Sequence, residues 1–89
     1  MKKIYSQCDL YKARSYIFDN REEIQRSELC GCYFCEKMFF PYEVKDFVED
    51  EDGKTSALCP YCRSLAVISD ASGYRIDRKL LHAMNMRWY

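Results

Sequence analysis

Between Asp9 and Ser27 the apolar residues Leu10, Ala13, Ile17 and Ile24 fall close to helical spacing, which predicts a helical arm. Asp9 suits its N-cap. Asp19 and Asn20, inside "FDNREE", favour a turn, so the pattern reads as one bent helix or two short ones. Glu22, Glu23 and Arg26 then suit an exposed helical face. "KMFF" reads as a short strand. Pro41 stands where a first helical turn tolerates proline, and Val44, Phe47 and Val48 supply an i, i+3, i+4 stripe. That segment therefore reads as a helix, ended by "DEDG" at Asp50–Gly53. "KTSAL" and the β-branched run "LAVIS" read as strands, with "DASGYR" as a turn. Asp77 can cap a last helix from about Arg78 to Trp88, where Ile76, Leu80, Met84 and Trp88 recur every fourth residue beside Leu81.

At 89 residues the chain has room for one domain. So short a chain buries a modest core and gains much from a metal or a disulfide. Eight tyrosines and five phenylalanines raise the aromatic share, while the formal charge is near zero, which argues against disorder. The stretch from Glu43 to Asp52 is acidic; the last third, with Arg63, Arg75, Arg78, Lys79 and Arg87, is basic. A nucleic-acid binder draws affinity from neutralised phosphates, and this small, counterbalanced patch speaks weakly for one. With no export signal and no membrane-length apolar run, the expected setting is a reducing cytoplasm. There, paired cysteines point to metal or redox chemistry before structural disulfides.

Five of the six cysteines lie in "LCGCYFCEK" and "ALCPYCRS". Cys32/Cys35 and Cys59/Cys62 each form a C-x-x-C pair, a spacing that lets the backbone curl until both thiolates face one point. Two such knuckles make the tetrahedral sulfur site that zinc prefers, although a four-thiolate shell also suits iron. Cys30 offers Cys35 an alternative partner through a C-x4-C spacing; the tighter and commoner knuckle favours Cys32. Otherwise Cys30 is a buried thiol near the metal, and Cys8 a packing residue. His82 falls inside a helix, which suits an ordinary surface or packing role better than a ligand. A catalytic zinc keeps one position open for water, whereas four thiolates fill the shell, so the expected metal is a strut.

"CPYC" alone resembles the redox motif of glutaredoxins, but that fold places it early with several elements behind it, and here it starts at residue 59. The deaminase pattern, H-x-E followed by P-C-x-x-C, also fails, since Pro60 lies inside the pair and His82 downstream. No nucleophile–base arrangement or Gly-rich phosphate loop is recognisable, so no enzymatic activity is expected. Ser69–Arg75 gathers polar residues that are most simply turn formers. Tyr33, Phe34, Phe39, Phe40, Tyr42, Tyr61 and Tyr74 lie in or near the knuckles. Most are expected to build a small core around the metal; an exposed subset would suit base stacking or a protein interface, and "MNMRWY" fits an interface composition too, although Met84 and Trp88 fall on the core-facing stripe.

The run "CGCYFC…ALCPYC…AVISDASGYRI" resembles a family of small bacterial and phage-encoded zinc-ribbon-like proteins, often labelled only as cytoplasmic proteins. The resemblance covers Cys30 to about Tyr89 and is specific in Cys30, Cys32, Cys35, Cys59, Pro60, Tyr61, Cys62 and Asp70–Tyr74. Arg63 replaces the family's glycine, which puts the usual turn there in doubt, and Arg75 replaces its proline. The resemblance implies a zinc-ribbon-like metal site and supplies no established activity.

The sequence thus reads as a single α+β domain of zinc-ribbon or treble-clef-like build, with a helical N-terminal arm over 1–28 and a knuckle core plus C-terminal helix over 29–89. Its expected role is a zinc-stabilised cytoplasmic binding module acting on a macromolecule, above all a protein, as an inhibitor, immunity factor or adaptor would. Arg63, Tyr74, Arg75, Arg78 and Lys79 are the candidate partner contacts. The alternatives are a nucleic-acid-binding zinc ribbon using Arg63, Arg75, Arg78 and Lys79, and a thiol-redox protein using "CPYC".

Overall fold

A computed structural model describes residues 6–88. Residues 1–5, which belong to the segment expected as the N-terminal arm, and Tyr89 lie outside the described residues. The architecture is α+β, with helices towards both ends and two small antiparallel sheets between them.

The arm forms two helices, α1 (Gln7–Ser15) and α2 (Arg21–Gln25). Ser6, rather than Asp9, is the N-cap of α1. Asp9 occupies the third helical position and closes a reciprocal capping box: its N–H donates to Ser6 Oγ at 3.1 Å, and its carboxylate accepts from Ser6 N–H at 3.2 Å. The ladder of α1 ends at its C-cap Tyr16, tightens into i→i−3 bonds through Phe18, and the chain turns towards α2 at Asp19, whose φ is 50°. Next to it, Asn20 is almost wholly buried, and its amide joins three segments. Its Nδ2 donates to the Val67 carbonyl at 2.8 Å and the Tyr16 carbonyl at 3.1 Å, while its Oδ1 accepts from Ala57 N–H at 2.9 Å.

β1 (Cys30–Cys32) is the centre of the three-stranded sheet, flanked by β2 (Met38–Phe39) and β5 (Val67–Ser69). Its register sets Cys30 opposite Phe39 and Ser69, and Cys32 opposite Val67. β3 (Phe47–Glu49) and β4 (Thr55–Ala57) form a separate hairpin. The expected helix over the Pro41–Val48 region does not form. Pro41–Glu43 makes one 3-10 turn, and Val44 leaves it in extended geometry. Pairing of Phe47 with Ala57 then overrides the helical spacing, and the segment's β-branched and aromatic residues suit a strand. The acidic "DEDG" run is the hairpin turn: Asp50 Oδ1 accepts the Asp52 and Lys54 N–H groups, both at 2.9 Å, and Gly53 takes φ 80°.

α3 (Arg78–Trp88) starts as expected, with Asp77 Oδ1 accepting Leu80 N–H at 2.9 Å. Ile76, Leu80, Leu81 and Met84 are buried in the core, Ile76 and Leu81 beside β1, and Trp88 packs at the rim of the core. Gly31 lets α3 approach β1 closely, since a Cβ there would stand 2.8 Å from Leu81 Cδ1. α1 and α3 are clasped by aromatic and cationic contacts. Tyr11 meets Trp88 edge-on at 5.5 Å, and the Arg14 guanidinium lies 5.1 Å from the Trp88 ring.

Candidate metal centre

β1 ends on Cys32, and the chain turns back into β2 through the first knuckle. Cys32 N–H donates to the Lys37 carbonyl at 3.0 Å, and Glu36 takes φ 62°. The second knuckle repeats the construction: Cys59 N–H donates to the Ser64 carbonyl at 3.0 Å, and Arg63 takes φ 69°. The turn put in doubt by the missing glycine therefore forms with arginine, at the strain a side chain meets in left-handed geometry. Glu36 shares that strain in the first knuckle.

Backbone N–H groups are aimed at the sulfurs. Those of Tyr61 and Cys62 both reach Cys59 Sγ at 3.4 Å, and those of Phe34 and Cys35 bond to the Cys32 thiol. The sulfurs of Cys32, Cys35, Cys59 and Cys62 all lie within 4.8 Å of one another. Two contacts cross between the knuckles, Cys32 to Cys62 at 3.6 Å and Cys35 to Cys59 at 3.7 Å. A tetrahedral zinc–thiolate shell with bonds near 2.3 Å has edges of about 3.8 Å, so the donor set fits a four-coordinate metal ion.

Burial sorts the four thiols. Cys32 and Cys59 are fully buried, whereas Cys35 and Cys62 are half-exposed. Burial pushes the Cys32 and Cys35 thiols up, against the pull of their backbone N–H bonds. Burial would raise Cys62 as well, but the Ser64 hydroxyl and N–H, with the Cys32 and Cys59 thiols, outweigh it and bring Cys62 down to about 7.

Cys30 is buried outside this cluster, 3.5 Å from Ser27 Oγ. Burial pushes its thiol up to about 11, against the Ser27 bond and aided by the charges of Asp70 and Glu43. Cys8 does not pack in the interior; it is exposed on α1. His82 lies outside the cluster on the exposed face of α3, with Nδ1 3.1 Å from Glu36 Oε1.

The candidate partner residues are not one free basic patch. Arg63 is paired with Asp46, and Arg75 Nε lies 3.9 Å from Asp77 Oδ2. Arg78 lines a cleft of about 480 Å³ with Cys35, Glu36, Lys37 and Met38; Lys79 is exposed. Tyr74 is half-buried, donating its hydroxyl to the Asp9 carbonyl at 3.4 Å and meeting Tyr16 edge-on. Among the knuckle aromatics, Tyr33 and Phe39 are buried, but Phe34, Phe40, Tyr42 and Tyr61 are exposed, Tyr42 by 76%. The expectation that most would surround the metal is therefore corrected. So short a chain fills its core with aliphatic residues and the two helical arms, leaving little room for rings.

Asn20 and Asn85 carry structural roles that the sequence reading missed. Asn85 Nδ2 donates to the Tyr33 and Phe34 carbonyls, both at 3.0 Å, and fastens the first knuckle to α3. An asparagine in a helix and one in a turn look ordinary in a sequence, and nothing in their spacing singles them out. No helix among the described residues is long and apolar enough to cross a membrane. Comparison with protein-family models, curated proteins and solved structures finds no match to the chain.

Proposed function

We propose that this protein is a small cytoplasmic binding module whose four-cysteine centre holds zinc as a strut and whose partner is another protein. The observation that carries this reading is the donor set: four sulfurs within 4.8 Å of one another would fill a tetrahedral shell and leave no position for water or substrate. The metal's work is then structural, and we assign the protein no reaction. The zinc-ribbon-like family that the cysteine and "DASGY" segments resemble belongs to the same reading.

A protein partner is favoured by the aromatics left outside the core. Phe40 and Tyr42 stack with ring centroids 5.5 Å apart. Glu43 ties this pair to Tyr61, accepting Phe40 N–H at 2.7 Å through one oxygen and the Tyr61 hydroxyl through the other. Lys37 Nζ lies 4.7 Å from the Tyr61 ring. Tyrosine, phenylalanine and methionine are enriched in interface cores, and such a site suits an inhibitor, immunity factor or adaptor.

Native mass spectrometry with metal analysis tests the centre: one zinc should be kept in Cys30→Ser and lost in Cys32→Ser. A partner captured by the wild-type protein should be lost from a Tyr42→Ala/Tyr61→Ala variant that keeps its zinc. Capture of nucleic acid instead, falling steeply with salt, would replace the protein partner with a nucleic-acid one.

A further inference from the structure

We infer that the centre is also a site of reversible thiol oxidation, in which a peroxide enters at Cys35 and closes disulfides between the knuckles, expelling the metal. The inference rests on the zinc-centre reading above and adds to it a chemical modification.

Three observations support it. The four thiols are unequally accessible, with Cys35 and Cys62 half-exposed and Cys32 and Cys59 fully buried. The contacts at 3.6 and 3.7 Å each join one half-exposed sulfur to one buried sulfur of the other knuckle, Cys62 to Cys32 and Cys35 to Cys59. Finally, Cys35 opens onto the cleft it shares with Glu36, Lys37, Met38 and Arg78, which is wide enough to admit a molecule as small as hydrogen peroxide. Lys37 and Arg78 stand there as cations beside a centre that carries a net double negative charge when four thiolates hold a divalent ion.

The chemistry balances with peroxide as the only oxidant. The Cys35 thiolate attacks one peroxide oxygen, the O–O bond breaks, and Cys35 becomes a sulfenic acid with release of hydroxide. The Cys59 thiolate then attacks the Cys35 sulfur; the S–S bond forms and a second hydroxide leaves. Two protons turn those hydroxides into water, so two thiolates lose two electrons to one peroxide. With two ligands gone the divalent ion departs unreduced, and a second peroxide converts Cys62 and Cys32 in the same way. Because each bond spans the knuckles, the two disulfides replace the metal as the clasp and the fold survives.

The pattern also excludes two bystanders. Cys30 is buried beside Ser27 outside the cluster, and Cys8 lies on α1.

The test is a titration of the metal-loaded protein with hydrogen peroxide, read by a chromogenic metal indicator, by peptide mapping under non-reducing conditions, and by circular dichroism. Metal content before peroxide judges the zinc centre by itself; protein isolated without metal is titrated in its reduced form, where the connectivity of the disulfides decides and their order is read only in the metal-loaded protein. The expected result is complete metal loss after one peroxide per protein and two disulfides after two. Cys35–Cys59 should accumulate before Cys32–Cys62, the helical signal should persist, and a thiol reductant with added zinc should restore the starting state. Metal retained under peroxide, bonds within the knuckles (Cys32–Cys35 or Cys59–Cys62), a bond to Cys30, or oxidation stopping at Met38 or at Cys35 sulfinic acid would each overturn the inference. Met38→Leu removes the competing thioether and should leave the order of disulfides unchanged.

Discussion

The first knuckle, Cys32–Lys37, grows out of the central strand of the three-stranded sheet, while the second, Cys59–Ser64, hangs between the β3–β4 hairpin and β5. Their backbone turns match, down to the left-handed residue after the second cysteine. Their supports do not. The first knuckle is gripped by α3 through Asn85, by Tyr33 N–H donating to the Ala66 carbonyl at 3.1 Å, and by the burial of Tyr33 itself. The second is braced by Arg63 on Asp46 and Tyr61 on Glu43, both at exposed positions, and by Leu58 N–H donating to the Asp46 carbonyl at 3.0 Å. Exposed pairs of this kind contribute roughly 0–1 kcal/mol. Two knuckles of one design thus differ in what holds them: α3 grips the first, while the second has weaker side-chain supports and would gain more from an ion held by the four cysteines.

If the four cysteines hold zinc as proposed, removing it is the sharpest way to separate them. A structural four-cysteine zinc contributes on the order of 10 kcal/mol of apparent folding free energy. After chelation, hydrogen exchange should show residues 46–64 losing amide protection well before 29–37 and 78–88. Simultaneous loss in both regions would mean that the first knuckle also stands on the metal alone.

The next largest effect belongs to Asn20, which ties β4 to β5 and so joins the second knuckle's hairpin to the rest. Asn20→Ala leaves Ala57 N–H and the Val67 carbonyl without their partner and should cost about 2–4 kcal/mol in urea unfolding. Asn85→Ala, its counterpart at the first knuckle, should cost about 1–2 kcal/mol, because two carbonyls lose one amide donor and the exposed Phe34 side can reach water. If Asn85→Ala proved the more damaging, the hairpin would be better supported than its contacts indicate.

Alkaline pH probes β1, the strand that feeds the first knuckle. The Cys30 thiol is raised from 9.0 to about 11 by burial, so the folded state favours its neutral form. That contribution, roughly 2 kcal/mol, is complete below pH 9 and is lost as pH rises through about 11, because the unfolded thiol ionises first. Cys30→Ala should flatten the fall in unfolding free energy between pH 9 and 11; an unchanged slope would assign it to other groups.

The smallest effect returns to the shared turn. Arg63→Gly relieves the left-handed strain, estimated at roughly 1–2 kcal/mol. It also gives up the exposed pair with Asp46 and adds chain entropy to the unfolded state. The balance is a stabilisation of about 0.5 kcal/mol, measurable as a slightly higher urea midpoint. A loss of more than that would show that the Arg63–Asp46 pair braces the second knuckle more firmly than an exposed ion pair ordinarily does.

Spacing made the cysteine centre readable in advance, because C-x-x-C encodes its own turn: the thiolates converge through local backbone geometry, whatever surrounds them. The last helix was readable for the same local reason, since Asp77 caps it and Ile76, Leu80 and Met84 mark its buried stripe. The segment around Pro41–Val48 was misread because its spacing satisfies a helix while its fate depends on a strand partner, β4, later in the chain. Cys8 shows the other limit, for a lone cysteine carries no pattern that says which way it faces.

The two knuckles, with Cys32 in the first, the helical arms and the α+β class all follow from residues a few positions apart. Out of reach of any local pattern were the hold of Asn20 and Asn85 on the knuckles from afar and the exposure of Phe40, Tyr42 and Tyr61 outside the core. Those outcomes turn on which surfaces meet after the chain has folded back, and no local period carries that information.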